Sequence, residues 1–143
     1  AINARDLAKA KVGTTENEVI STLSVATSSL VTVVVLALGV AYKNDIDDCR
    51  ESPAIRVLKL LREEGAEVTY FDPWVAQYKE DGQVYYSEKE LTPELVQAAD
   101  LVIVTAGHNN VDYAMVQKNA KAVFDTKNVM RKHNAFGDNV EVL

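Results

Sequence analysis

A chain of 143 residues with 15 basic and 21 acidic side chains carries a net charge of -6 and fits one ordinary domain, long enough to bury roughly two thirds of its unfolded surface without disulfides or metals. Hydrophobic residues at 48% and charged ones at 25% exclude disorder and fibrous repeats, and no stripe of Lys or Arg follows a phosphate backbone, so nucleic acid is not an expected partner. One cysteine, Cys49, excludes an intramolecular disulfide and fits a reducing, cytoplasmic setting.

The opening stretch "AINARDLAKAK" has no apolar core of the kind a signal peptide needs. Between Glu18 and Lys43 lie 24 uncharged residues, longer than the roughly 20 that cross a bilayer. Seven of them are Ser or Thr, and the capping pattern Thr15-x-x-Glu18 opens a helical spacing of Val19, Ile20, Leu23 and Ala26. The run therefore divides into a surface helix near 16–27, a break at Ser28-Ser29 and a strand over about 30–38, and no membrane span is expected. Val31, Val33, Val34 and Val35 are β-branched and continuous, the pattern of a strand covered on both faces.

Next, "SPAIRVLKLLREEG" reads as a helix with Ser52 as N-cap, Pro53 at its first position and Gly65 past its end. Its expected apolar face is Ile55, Leu58 and Leu61, widened by Ala54, Val57 and Leu60. "AEVTYFDP" is a second strand, stopped by Pro73. A polar region with Trp74, Tyr78 and Gly82 follows, with "QVYY" as a short strand. "TPELVQAAD" is a helix opened by Thr92 and Pro93, "LVIVTAG" a third strong strand, "NNVDYAMVQKNA" a helix, "KAVFDTKN" a fourth strand, and "NVEVL" a last edge. Strands alternating with helices of about ten residues imply a Rossmann-like α/β domain with a mostly parallel sheet covered on both faces. Ligands in such sheets sit outside the carboxyl ends of the strands, so the loops at 42–51, 72–74, 105–110 and 125–128 compete for the site.

The first of these loops holds Asp45, Asp47 and Asp48 beside Lys43 and Arg50, between a strand and a helix N-terminus that favours anions. A phosphate or diphosphate is the natural ligand, with Lys43 as a mobile charge and Arg50 as a planar fork. On the residues alone, the two cations serve equally well to neutralise the aspartates on a solvated turn. Tyr42 either stacks on a planar base or joins the core. Cys49 lies where a helix N-terminus lowers a thiol's pKa, but no base is placed beside it, and it reads as a bystander.

An ordinary dinucleotide site needs G-x-G-x-x-G after the first strand, and only Gly39 stands there. Asp72 matches the place of a ribose-binding acid, yet Asp-Pro is foremost a turn, so no self-contained NAD site is assigned. His108 reads as polar loop surface and His133 as part of a polar tail. Neither has ligand spacing to Cys49, so no metal site is suggested. Asp125 and Lys127 either reach the same crevice or form a surface ion pair.

The string "LGVAYKNDIDDCRESPAIRVLKLLREEGAEVTYFDPWV", followed by "AADLVIVTAGH" and "VFDTKNV", closely resembles the carboxyl-terminal, UDP-binding domain of the UDP-glucose/GDP-mannose dehydrogenase family over about 31–131, nearest to the UDP-N-acetyl-hexosamine 6-dehydrogenases. Members of that family oxidise C6 of a nucleotide sugar to a carboxylate, twice passing hydride to NAD through a thiohemiacetal on a cysteine. The resemblance implies that Tyr42 and Lys43 meet the nucleotide portion of a UDP-sugar and that Arg50 reaches toward NAD on another domain. Lys127 falls where many relatives have a substrate-contacting arginine, whose bidentate fork a lysine lacks. Cys49 sits where relatives usually have Leu or Thr, so it is not the catalytic cysteine.

The resemblance further implies that residues 1–29 are a divergent remnant of a connecting helical segment and 30–143 the nucleotide-sugar-binding domain. Neither the NAD fingerprint nor the catalytic cysteine motif occurs in the chain, which is expected to be inactive alone and to need the NAD-binding half of the enzyme. The alternatives are a stand-alone, non-catalytic module that binds UDP-sugars or acts by association, and a receiver-like domain holding Mg²⁺, against which Lys43 and Arg50 count. Surface that would face the first domain makes self-association, such as a homodimer, an open expectation.

Overall fold

The structure, a computed structural model, describes residues 32–143. The helix expected at 16–27, the first two residues of the expected strand at 30–38 and the proposed boundary after residue 29 all lie outside the described residues. β1 spans Val34–Leu38, α1 Pro53–Glu63, β2 Glu67–Phe71, β3 Gln77–Glu80, β4 Gln83–Tyr86, α2 Pro93–Ala98, β5 Leu101–Val104, α3 Tyr113–Asn119, β6 Val123–Asp125, α4 Val129–Lys132 and β7 Val140–Val142. Five strands form one sheet in the order β2-β1-β5-β6-β7, with every neighbouring pair parallel. This is the Rossmann-like α/β arrangement that the alternation of elements predicts.

The continuous apolar strands are explained by two cores, one on each face of the sheet. Val35 and Ala37 of β1, Ile103 of β5 and Phe124 of β6 face Val57, Leu58 and Leu61 of α1. Leu36 and Leu38, Val102 and Val104, and Val123 face Val96, Val116 and Met130 on the other side. Because side chains alternate along a strand, a strand buried on both faces admits a polar residue only where its hydrogen bonds are met. Fully burying side chains such as Leu58 and Leu61 contributes about 1.5–3 kcal/mol each. Ser52 caps α1 by accepting from Ala54 N–H, and Thr92 caps α2 by accepting from Leu95 N–H, both ahead of a proline. On α1, Ile55 and Leu60 are only half-buried, so its apolar stripe is narrower than the sequence suggests.

Two elements depart from the sequence expectation. The polar region before "QVYY" contains β3, which pairs antiparallel with β4. The turn between them, Asp81-Gly82, has positive φ at both residues (50° and 80°), the backbone that matches a two-residue hairpin to strand twist. The buried Tyr78 anchors this hairpin between Tyr70 and Tyr85, with ring centroids 5.3 and 5.2 Å away. Arg62 of α1 lies 3.9 Å over the Tyr85 ring and donates to Tyr78 Oη, while Lys59 Nζ stands 2.7 Å from Asp81. The second departure is α4, four residues between the fourth strand and the last edge for which the sequence predicts no element. Among the described residues no helix is long and apolar enough to cross a membrane.

Candidate functional site

The chain leaves β1 for β2 on one side and later returns to β5 on the other, so strand order reverses between β1 and β5. The loops after these two strands flank the crevice such a reversal creates. They are closely joined. Leu38 O accepts from Thr105 N–H and Ala106 N–H at 2.9 and 3.0 Å, and Thr105 Oγ1 also donates to Gly39 O. Gly39, at φ 87°, lies against Ala106, where an added Cβ would come within 2.5 Å of the Ala106 Cβ. Its missing side chain admits the neighbouring loop, not a ligand. Further out, Gly107 N–H donates to Asn44 Oδ1 at 2.8 Å, and Asn109 N–H to Asp45 Oδ1 at 2.8 Å.

Beneath this seam lies a buried polar cluster that the sequence reading did not foresee. His108, expected on the surface, is 0% exposed. Its Nδ1 accepts Asp45 N–H at 2.8 Å and its Nε2 faces Asp72 Oδ2 at 3.0 Å. Asp72 is equally enclosed. Oδ2 also accepts from Val40 N–H at 2.7 Å and Ala41 N–H at 3.2 Å, and Oδ1 accepts from Trp74 N–H at 2.8 Å and Val75 N–H at 3.1 Å. Burial alone would push the Asp72 carboxyl up, but the bonds from His108, Val40 and Trp74 outweigh it and hold the group below its ordinary value. An acid whose oxygens are all engaged cannot bind a ribose. With Gly39 closed off by Ala106, the residues at this corner do not fit a dinucleotide such as NAD.

The predicted binding residues lie on the outer side of the same loop. Tyr42 is 53% exposed, and its N–H is tied to Asp48 O at 2.8 Å. Lys43 is exposed, and none of the ion pairs among the described residues includes it. Arg50 Nε and Nη2 form a two-pronged pair with Asp48, each bond 3.0 Å, on a side chain 88% exposed. That pair, with the Arg50 N–H, brings the Asp48 carboxyl down to about 2, so it stays ionised near neutrality. The Nη1 edge of the guanidinium stays free for a second partner. Tyr42, Asp48, Arg50 and Glu51 line an open depression of about 440 Å³, and Lys43 lies outside its lining. Asp45 and Glu51 hold left-handed backbone, φ 58° and 56°, at a cost of about 1–2 kcal/mol each.

At the end of β6, Asp125 is not half of a surface ion pair. It is buried, and its oxygens accept from Lys127 N–H at 3.0 Å and Met130 N–H at 2.8 Å, fastening the short turn into α4. Lys127 is exposed, and no hydrogen bond or ion pair among the described residues joins it to the 42–51 loop. Burial raises the Cys49 thiol above its ordinary value, which fits a bystander better than a nucleophile. His133 is half-buried rather than in a polar tail: its ring lies 4.9 Å from that of Tyr113, and its Nε2 is buried without a hydrogen-bond partner. Among the described residues no three His, Cys, Asp or Glu side chains gather to hold a metal.

A parallel sheet covered on both faces, with an open polar corner where its strand order reverses, is a Rossmann-like α/β domain. More narrowly, residues 36–132 match the model of the UDP-glucose/GDP-mannose dehydrogenase family, UDP binding domain, and the chain belongs to that family. The UDP-N-acetyl-D-mannosamine dehydrogenase of Methanocaldococcus jannaschii is 33% identical over 106 residues, covering 68% of this chain and 23% of that protein. The UDP-glucose 6-dehydrogenase of Rhizobium meliloti is 46% identical over 39 residues, 27% of this chain and 9% of that protein. Among solved structures, the native UDP-N-acetyl-mannosamine dehydrogenase from Staphylococcus aureus superposes with a TM-score of 0.60 at 30% identity, covering 88% of this chain and 31% of its own. The chain thus spans less than a quarter of the length of the curated relatives it matches.

Proposed function

We propose that this chain supplies the nucleotide-sugar-binding part of an NAD-dependent UDP-sugar 6-dehydrogenase, closing over the UDP portion of the substrate. In this reading residues 30–143 form that domain and 1–29 are what remains of a connecting segment. The observation that carries it is the open depression beside Tyr42 and Arg50, at the reversal of strand order and inside the stretch matched by the family's UDP binding domain. Tyr42 offers a flat face to the nucleotide, and Lys43 its charge to the diphosphate. Arg50, with one edge held by Asp48, presents its free edge across the mouth of the depression toward NAD bound on another part of the enzyme. Lys127 contacts the substrate as a single charge from the end of β6.

Glu51 shares the depression, so binding of an anion depends on Lys43 and the free edge of Arg50 outweighing it. Asp45 does not compete, because its carboxylate is turned to Asn109. The NAD-binding half of the enzyme and a UDP-sugar are the partners this reading requires, in a reducing cytoplasm. Calorimetric and NMR titration of the chain with UDP, UDP-N-acetylglucosamine, GDP and NAD tests it. The two uridine compounds are expected to bind, NAD alone to bind little, and shifts to centre on residues 42–50. Shifts centred elsewhere reject the site.

A further inference from the structure

Tyr42 and Lys43 are exposed side chains on a backbone that is held almost residue by residue. Before them, Val40 N–H and Ala41 N–H are bound by Asp72 Oδ2; after them, Asn44 is bound to Gly107 and Asp45 to Asn109 and His108. His108 is where these two fastenings meet, because its ring spans the gap between Asp72 and Asp45. A backbone amide can only donate, so the bond from Asp45 N–H requires a bare Nδ1. The ring proton therefore sits on Nε2 and is given to Asp72. This tautomer completes both bonds at once, whereas a proton on Nδ1 would set donor against donor. The main chain that carries the imidazole is itself fastened, the His108 carbonyl accepting from Tyr113 Oη at 2.6 Å.

We propose that His108 is the positioning residue of the ligand loop: through Asp45 it holds the Tyr42–Lys43 backbone in the conformation that receives a nucleoside diphosphate, without touching the ligand. The inference rests on the functional reading above and adds a specific device to it. Asp45 is a non-glycine residue in left-handed backbone, a state that persists when its surroundings impose it. The bonds from Asp45 N–H to His108 and from Asn109 N–H to Asp45 are what impose it. Removing the first leaves the amide free to turn. The loop then samples other conformations, and binding must select from them, which lowers apparent affinity by the fraction that stays competent.

Two substitutions in the full chain separate this role from mere packing. His108→Asn keeps an acceptor where Nδ1 stands and loses the reach to Asp72. His108→Gln keeps a donor toward Asp72 and loses the acceptor. Three readouts apply: imidazole ¹⁵N resonances of the wild type, hydrogen exchange of the Asp45 amide, and affinity for UDP-N-acetylglucosamine. The expected result is a bare Nδ1, loss of Asp45 amide protection in His108→Gln but not in His108→Asn, and affinity that follows that protection. The expected loss of affinity in His108→Gln is about tenfold, the scale of one buried hydrogen bond, and it is expected at an unchanged denaturation midpoint relative to His108→Asn. A protonated Nδ1, or affinity that follows the denaturation midpoints of the variants instead of Asp45 protection, overturns the proposal. Absence of uridine-nucleotide binding by the wild type overturns the functional reading and the ligand half of this one, while Asp45 exchange still decides whether the clamp exists.

Discussion

Asp72 and Asp125 occupy matching places along the sheet's carboxyl edge, one just after the edge strand β2 and the other closing β6, three strands away. Both are buried, and both use their oxygens on backbone N–H groups of the turn that follows. Their reach differs. Asp125 fastens only its own turn into α4, whereas Asp72 also takes Val40, Ala41 and His108, and so joins the ends of three strands. The same residue type in the same setting is a local cap in one case and a junction in the other. What decides is whether a second loop passes within hydrogen-bond distance, which strand order governs and local sequence does not.

The comparison is sharpest in stability. Asp72→Ala leaves an unpaired histidine and several buried amides, and a loss of about 3–5 kcal/mol is expected from urea denaturation. Gly39→Ala attacks the same junction from the other side. With φ at 87° and the Ala106 Cβ in the way, a loss of roughly 2–4 kcal/mol is expected. Asp125→Ala frees two local amides, at an expected cost of about 1–3 kcal/mol; a loss equal to that of Asp72→Ala would erase the distinction.

Acid provides a separate measure. The folded-state pKa of Asp72 lies below the ordinary 3.8, so the stability it contributes is fully present above that value and is lost as pH falls through the folded one. Urea midpoints should therefore drop below about pH 4 in the wild type and drop less steeply in Asp72→Asn. Smallest in stability are the changes on the outer face of the loop. Lys43→Ala is expected to weaken UDP-N-acetylglucosamine binding by about five- to tenfold, with stability unchanged within roughly 0.5 kcal/mol. Glu51→Gln should tighten binding by about twofold by removing the opposing charge from the depression.

Much of the scaffold was legible because its signals are local. Ser52-Pro53 and Thr92-Pro93 mark helix starts, and the runs at 34–38 and 101–104 are apolar at every position, as only doubly covered strands are. β3 was not legible, since its four residues include a single buried side chain, Tyr78, and the Asp-Gly turn that defines the hairpin lies inside a polar stretch without alternating apolar flanks. Nor was α4, which is shorter than any periodicity can reveal. The positions of Tyr42, Lys43 and Arg50 at a strand's carboxyl end could be read, and so could the Asp48–Arg50 pairing, two residues apart. The burial of His108 could not, because its partners are 36 and 63 residues away and it stands past the end of β5 beside Asn109 and Asn110, where a polar loop is the ordinary expectation.

The central place of β1 in the sheet has a consequence for how the protein is made. β1 is the first strand of the described chain, yet one of its two neighbours is β5, and Gly39 meets Thr105 across 66 residues. On a ribosome adding about 5–20 residues per second, that partner follows roughly 3–13 s later. During that interval one flank of the greasiest strand stays unzipped, and such an unpaired apolar edge is exposed to aggregation until β5 emerges.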